Sequence, residues 1–75
     1  PADETHFQRA VDSYQDAKSY SDVGDQAVWS DKRKQVSVLH GSHLFHVHVH
    51  FSDDDDKNRE MAFRISSYLI DHYLD

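Results

Sequence analysis

The chain contains no cysteine and few residues that interrupt regular structure: two glycines and one proline among 75 residues. A core this small is marginal unless oligomerisation, a metal or disulfide bonds reinforce it, and the absence of cysteine excludes disulfide bonds. No apolar run approaches the ~20 residues that span a membrane as a helix. The sequence predicts a soluble protein made of a single small domain, residues 1–75.

Positive charge is also scarce. Eight Lys and Arg residues stand against 14 Asp and Glu, which gives a formal net charge of −6 with neutral histidines. Binding to nucleic acid depends largely on Lys and Arg contacts with phosphates, so the composition disfavours DNA or RNA as a partner. Histidine, by contrast, is abundant: protonating all seven would add seven charges to −6 and give +1. The net charge therefore changes sign at mildly acidic pH.

Two segments have the periodicity of amphipathic helices. In the first, residues 5–20, apolar side chains such as Phe7, Val11 and Tyr14 recur at three- and four-residue spacings. In the second, residues 52–73, the run Asp53–Asp56 suits the positive end of a helix dipole, and Ser52 or Asp53 is the expected N-cap. The expected core stripe of this helix comprises Met61, Ala62, Ile65, Tyr68, Leu69 and His72 or Tyr73.

Between these helices the sequence predicts a β-hairpin. Apolar and polar residues alternate on both sides of Gly41-Ser42, a pair that suits a type II′ turn. Pairing His40 with His43 places Val38 opposite Phe45, whereas a shift by one residue would place valines opposite histidines. The same register pairs Val36 with Val47, Ser37 with His46, Gln35 with His48 and Arg33 with His50.

The expected fold class is therefore α+β: a helix, an antiparallel hairpin and a second helix. A third short strand over residues 27–29 is an option, because Ala27, Val28 and Trp29 are apolar. Both helices are expected on the sheet face that carries the valines, since that face needs cover from water.

The most unusual feature is a run of three histidines at every second position, His46, His48 and His50. Alternate side chains of a strand project from one face, so the imidazoles should lie opposite the apolar face. The predicted outer face is a polar panel comprising Arg33, Gln35, Ser37, His46, His48 and His50. Our leading interpretation is a binding or assembly face for a protein partner or a second copy of the chain, with a pH dependence set by the imidazoles.

An enzymatic alternative comes from a resemblance. The string His46-Val47-His48-Val49-His50-Phe51-Ser52 resembles the signature of the histidine-triad nucleotide hydrolases and transferases, in which histidines alternate with apolar residues. Gly41-Ser42 lies roughly where that family has a glycine-containing turn. The resemblance implies that His48 is the nucleophile on a phosphate ester and that His46 and His50 assist. Ser52 departs from the pattern, which has an apolar residue there.

A second resemblance concerns shape. The order of helix, strands and helix is similar to the double-stranded-RNA-binding fold, but Asp53–Asp56 stands where that family has a basic cluster. Such acidic residues repel phosphate, so the resemblance implies a similar architecture without RNA binding.

The third hypothesis is a divalent-metal site, the one cofactor that the sequence suggests. Neutral imidazoles bind zinc, nickel and copper, and His46, His48 and His50 are the candidate ligands. Side chains two residues apart on a strand lie about 7 Å from each other, so a closed site also requires a ligand from another segment.

Overall fold

A computed structural model describes residues 2–74, with side chains from residue 5 onward. It confirms the α+β class: two helices accompany a four-stranded antiparallel sheet with the strand order β1-β2-β3-β4. The elements are α1 (Ala2–Ser13), β1 (Lys18–Tyr20), β2 (Gln26–Ser30), β3 (Gln35–His40), β4 (His43–His48) and α2 (Asp55–Leu69), followed by a π-helical turn, Ile70–Leu74. Of the helices in this described part, none has the length and apolar character needed to cross a membrane.

The hairpin has the predicted register. His40 pairs with His43 and Val36 with Val47, and Gln35 with His48 closes the β3–β4 ladder. Gly41 has φ = +61°, the sign that the first central residue of a type II′ turn requires. The expected pair of Arg33 with His50 lies outside the ladder, because residues 31–34 form a turn and β4 ends at His48.

The segment before the hairpin contains two strands. β2 confirms the optional third strand, but β1 occupies residues that the helical pattern assigned to the first helix. α1 ends early because its last turn tightens: the Tyr14 N–H donates to the Val11 carbonyl at 3.0 Å. The Asp16 carboxylate then accepts hydrogen bonds from the Ser30 hydroxyl at 2.6 Å and the Lys32 N–H at 2.9 Å. These bonds hold the chain beside the β2–β3 turn, where it enters β1.

The two helices cover opposite faces of the sheet, so the expectation that both lie on one face is wrong. α2 covers the face that carries Trp29 and Val38, and α1 covers the face that carries Val28 and Leu39. The physical reason is that β2 and β3 have apolar side chains on both faces. One layer of helices cannot shield both, and α1 supplies the second layer through Phe7 and other apolar side chains.

The side of α2 that faces the sheet differs from the expected stripe. Its buried residues are Asn58, Ala62 and Ser66, and Ile70 follows in the π-helical turn. Ile65 and Tyr68 are instead 38% and 54% exposed. Small side chains at these positions let the helix approach the sheet closely enough to bury Trp29 completely. Ala62 and Leu69 of the expected stripe do face the core, and Phe63 packs against its margin, whereas Ile65 and Tyr68 do not.

The start of α2 also differs in detail from the prediction. Asp54 is the N-cap, where Ser52 or Asp53 was expected, and its carboxylate accepts from the Asp56 N–H at 2.9 Å. The Ser52 hydroxyl accepts from the Asp54 N–H at 3.0 Å. The two side chains thus satisfy one backbone donor in the first turn of α2 and one at its N-cap.

Candidate functional site

The strand that carries the histidines lies at an edge of the sheet. β4 pairs with β3 on one side and ends the strand order on the other. In an antiparallel pair, successive residues direct their backbone groups alternately toward the neighbour and away from it. The Val49 N–H donates to the Lys34 carbonyl at 2.8 Å, which fixes this alternation. The backbone groups of Leu44, His46 and His48 therefore point away from β3, toward the open edge.

The open edge of β4 lacks the usual protection against pairing with another strand. Edge strands are commonly protected by charged side chains, proline, bulges or short length. β4 has six residues, with no proline and no Lys, Arg, Asp or Glu. The opposite edge, β1, has only three residues, and Lys18 there forms an ion pair with Asp31 at 3.7 Å. Of the two edges, β4 is the one suited to accept another strand.

His46 is connected to α1 by a chain of hydrogen bonds. The Gln35 side-chain amide donates to the Tyr14 hydroxyl at 2.9 Å, and the Tyr14 and Ser37 hydroxyls are 2.5 Å apart. Ser37 Oγ lies 2.8 Å from His46 Nδ1. One arrangement uses every proton in order: Gln35 donates to Tyr14, Tyr14 to Ser37, and Ser37 to a neutral His46. Protonation at Nδ1 would turn that acceptor into a donor and reverse the last bond.

The His46 side chain is exposed at the edge but partly desolvated, and this partial burial lowers the pKa of its imidazole below the usual value of 6.5. The physical cause is partial loss of water around the ring, which disfavours the charged form. The hydrogen bond from Ser37 also requires the neutral form when Nδ1 is the acceptor. Geometry and burial therefore favour a neutral His46 at neutral pH.

The other members of the predicted polar panel differ in how far they are buried and in whether they contact α1. Ser37 is fully buried beneath α1 and cannot contact a partner. The Arg33 guanidinium lies 5.4 Å from the centroid of the Tyr14 ring and donates to the Ser13 carbonyl at 3.3 Å, so it belongs to the α1 contact. Gln35 is half-buried in the same contact, and His48 is exposed within β4. The structure brings His46 and His48 together on one strand and places Ser37 below them.

His50 lies beyond the end of β4, so the three imidazoles do not form one row on a strand. Beyond His48 the chain leaves the sheet, and the side chain of Asn58 in α2 forms hydrogen bonds with its backbone. The Asn58 side-chain oxygen accepts from the N–H groups of Phe51 and Ser52, both at 3.1 Å, and its amide donates to the Ser52 carbonyl at 2.8 Å.

This departure bears on the metal hypothesis and on the histidine-triad resemblance. Among the described side chains, those of residues 5–74, no group of three or more His, Asp or Glu could hold a metal ion, and His46, His48 and His50 form no such group. The arrangement of three strand-borne histidines implied by the resemblance holds for His46 and His48 alone.

Two residues of the site were not recognised from the sequence. Tyr14 was expected to pack in the core, and it does, but its hydroxyl also connects α1 to Ser37. Leu44 contributes outward backbone groups at the edge and packs against the α1 core. One signal in the sequence could have revealed the role of α1. The predicted register places Leu39 and Leu44 on the histidine face, and two leucines there require cover from another element.

Comparison with known proteins adds no relative: no protein-family model, no curated protein and no solved structure matches this chain.

Proposed function

We propose that this protein is a small binding module that accepts an extended segment of a protein partner along the open edge of β4. The observation that carries the proposal is a six-residue edge strand without charge or proline, beside a second edge that is short and charged. An added strand gains affinity from main-chain hydrogen bonds and specificity from alternate side chains. The outward backbone groups of Leu44, His46 and His48 supply the hydrogen bonds.

A bound strand would meet two chemically different surfaces. On the α2 side it would lie beside Phe45 and Val47, which belong to or pack against the main core. On the α1 side it would lie beside His46 and His48, both exposed. Cross-strand neighbours of this kind contribute about 0.2–1 kcal/mol each. The preferred segment therefore alternates apolar residues, on the α2 side, with neutral polar residues, on the α1 side.

The proposed binding is sensitive to pH through His46. Among the described contacts, the His46 imidazole is connected through Ser37 to Tyr14 of α1, Arg33 of the β2–β3 turn lies beyond the Tyr14 ring, and His48 follows on the same face of β4. None of these described groups is a carboxylate that would stabilise an imidazolium. Protonation of His46 places a charge at the edge and reverses its bond with Ser37, so binding should weaken as pH falls.

The proposal can be tested with an array of synthetic extended peptides that includes residues 40–50 of this chain. For peptides that bind, amide hydrogen exchange should show new protection at Leu44, His46 and His48. The variant His46→Pro removes one outward N–H, and proline is tolerated at such an edge position. The control His46→Thr removes the imidazole but keeps the N–H.

We expect His46→Pro to abolish binding and His46→Thr to retain it. Protection of other amides, or equal binding by both variants, would show that the edge of β4 is not the site. At protein concentrations at which the chain sediments as a monomer, so that the edge of β4 is unoccupied, failure of every peptide to protect these three amides would contradict the proposed function.

A further inference from the structure

The edge of β4 is complementary to itself, and we infer that the strand it accepts is β4 of a second copy of the chain. This inference rests on the proposed function and identifies its partner. Two copies related by a two-fold axis at His46 would pair their β4 strands antiparallel and join two four-stranded sheets into one. The geometry follows from the register and from the direction of the outward backbone groups.

In this arrangement every N–H and C=O group of β4 that points away from β3 gains a hydrogen-bond partner. Leu44 would lie opposite His48 of the second copy, His46 opposite His46, and His48 opposite Leu44. These are the residues whose N–H and C=O groups point away from β3, so each pair exchanges two hydrogen bonds, about six in all. A two-fold axis at residue 45 or 47 would leave one of the three positions unpaired.

The side chains are also compatible across the two-fold axis. On the α2 face, Phe45 would lie opposite Val47 of the second copy, twice, in the class of pair whose side chains approach most closely. Phe45 is half-buried and packs against the core that contains Val47. The dimer would therefore cover the exposed part of Phe45 and connect the two cores. Burial of additional apolar surface helps a chain of 75 residues, whose core is small.

Charge does not oppose contact at the strand itself. Residues 43–48 carry no Lys, Arg, Asp or Glu, so two copies of β4 bring together no charged pair while the histidines are neutral. The net charge of −6 belongs to other parts of the chain, notably the run Asp53–Asp56. At 0.15 M salt the screening length is about 8 Å, so repulsion between charges on the two copies separated by more than this length is weakened, whereas contacts within the ladder are not.

Cysteine cross-linking tests the inferred register directly, because the natural chain has no cysteine. In the dimer the two copies of residue 46 face each other with Cα atoms about 5.5 Å apart, within the range of a disulfide. The two copies of residue 48 are separated by four residues along the ladder, about 13 Å. Under mild oxidation with glutathione, His46→Cys should form at least about tenfold more covalent dimer than the matched control His48→Cys.

Sedimentation of the unmodified chain at pH 8 completes the test. We expect a concentration-dependent dimer that His46→Pro abolishes and His46→Thr retains. A monomer at all concentrations, or equal cross-linking of the two cysteine variants, would overturn the inference. If the chain is monomeric but peptides still protect Leu44, His46 and His48, the partner is a different protein and the proposed function stands. If neither the dimer nor peptide protection is found, both are wrong.

Discussion

Asn58 shows how much a single buried polar residue contributes to this fold. It is fully buried, and its side chain makes three hydrogen bonds to the backbone of the segment that connects β4 to α2. We expect Asn58→Ala to lower the free energy of unfolding by about 2–3 kcal/mol, since it leaves backbone groups without partners. Urea denaturation measures the loss. The exposed neighbour Lys57→Ala should change it by less than about 0.5 kcal/mol. Equal midpoints for the two variants would show that the segment is held by other contacts.

His46 should make stability depend on pH in a defined direction. Burial lowers its pKa in the folded state, so folding favours the neutral imidazole. The stabilisation is complete above the unfolded value of about 6.5 and is lost as pH falls from there toward the lowered folded value. Urea midpoints between pH 8 and pH 5.5 should therefore fall more for the natural chain than for His46→Gln. Protein concentrations at which the chain sediments as a monomer keep dimerisation out of this comparison. Parallel curves would show that His46 does not contribute.

Residue types alone identified some of the candidate site and missed the rest. Alternation marked His46 and His48 as neighbours on one face, and the structure places them so. It could not reveal that Ser37, in the same row, is buried, because that depends on where α1 packs. In α2, the periodicity of apolar residues predicted that Ile65 and Tyr68 would be buried, whereas the structure buries Asn58 and Ser66. Hydrophobicity predicts the transfer of a side chain from water, whereas the closeness of helix and sheet favours small side chains with satisfied polar groups.

Among the secondary-structure elements, the register of the hairpin could be predicted, although the pair of Arg33 with His50 lies outside it, and the extent of the first helix could not. The register of β3 and β4 is local: a two-residue turn and matched alternation determine it. The position of α1 depends on contacts between residues distant in sequence, such as Tyr14 with Ser37. Apolar residues on both faces of β2 and β3 were the available evidence for a helix on each face. The two faces can be assigned only once the bounds of the strands are known, and the sequence did not predict β1.

The packing of α1 against the histidine face leads to a stability prediction. Leu39 is 3% exposed in the core that α1 covers. Truncation there should therefore leave a cavity, and Leu39→Ala should cost about 2–4 kcal/mol in urea denaturation. Ile65→Ala, on the exposed side of α2, should cost less than about 1 kcal/mol. If α1 left this face open to water, Leu39→Ala would cost no more than Ile65→Ala. The pair of variants thus distinguishes helices on both faces from helices on one.

For the molecule as an assembly, two electrostatic effects oppose each other as pH falls. Protonation of the seven histidines removes the net negative charge that repels one copy from another, which favours association. Protonation also places like charges on the two copies of His46, whose Cβ atoms would lie about 5 Å apart in the inferred dimer, and this repulsion opposes association. At 0.15 M salt, charges separated by more than about 8 Å are largely screened, so the local repulsion at His46 should dominate.

We therefore expect the dimer to weaken by about tenfold between pH 8 and pH 5.5 at this ionic strength, the equivalent of about 1.4 kcal/mol of repulsion. Sedimentation equilibrium at the two pH values measures the change. His46→Gln provides the matched control, since it keeps the strand and the outward N–H but cannot become charged at this position. Only the loss of net negative charge then remains, so the variant dimer should hold its affinity or tighten on acidification. A natural dimer that tightens in parallel with the variant would show that the two copies of His46 do not face each other, and the inferred register would be wrong.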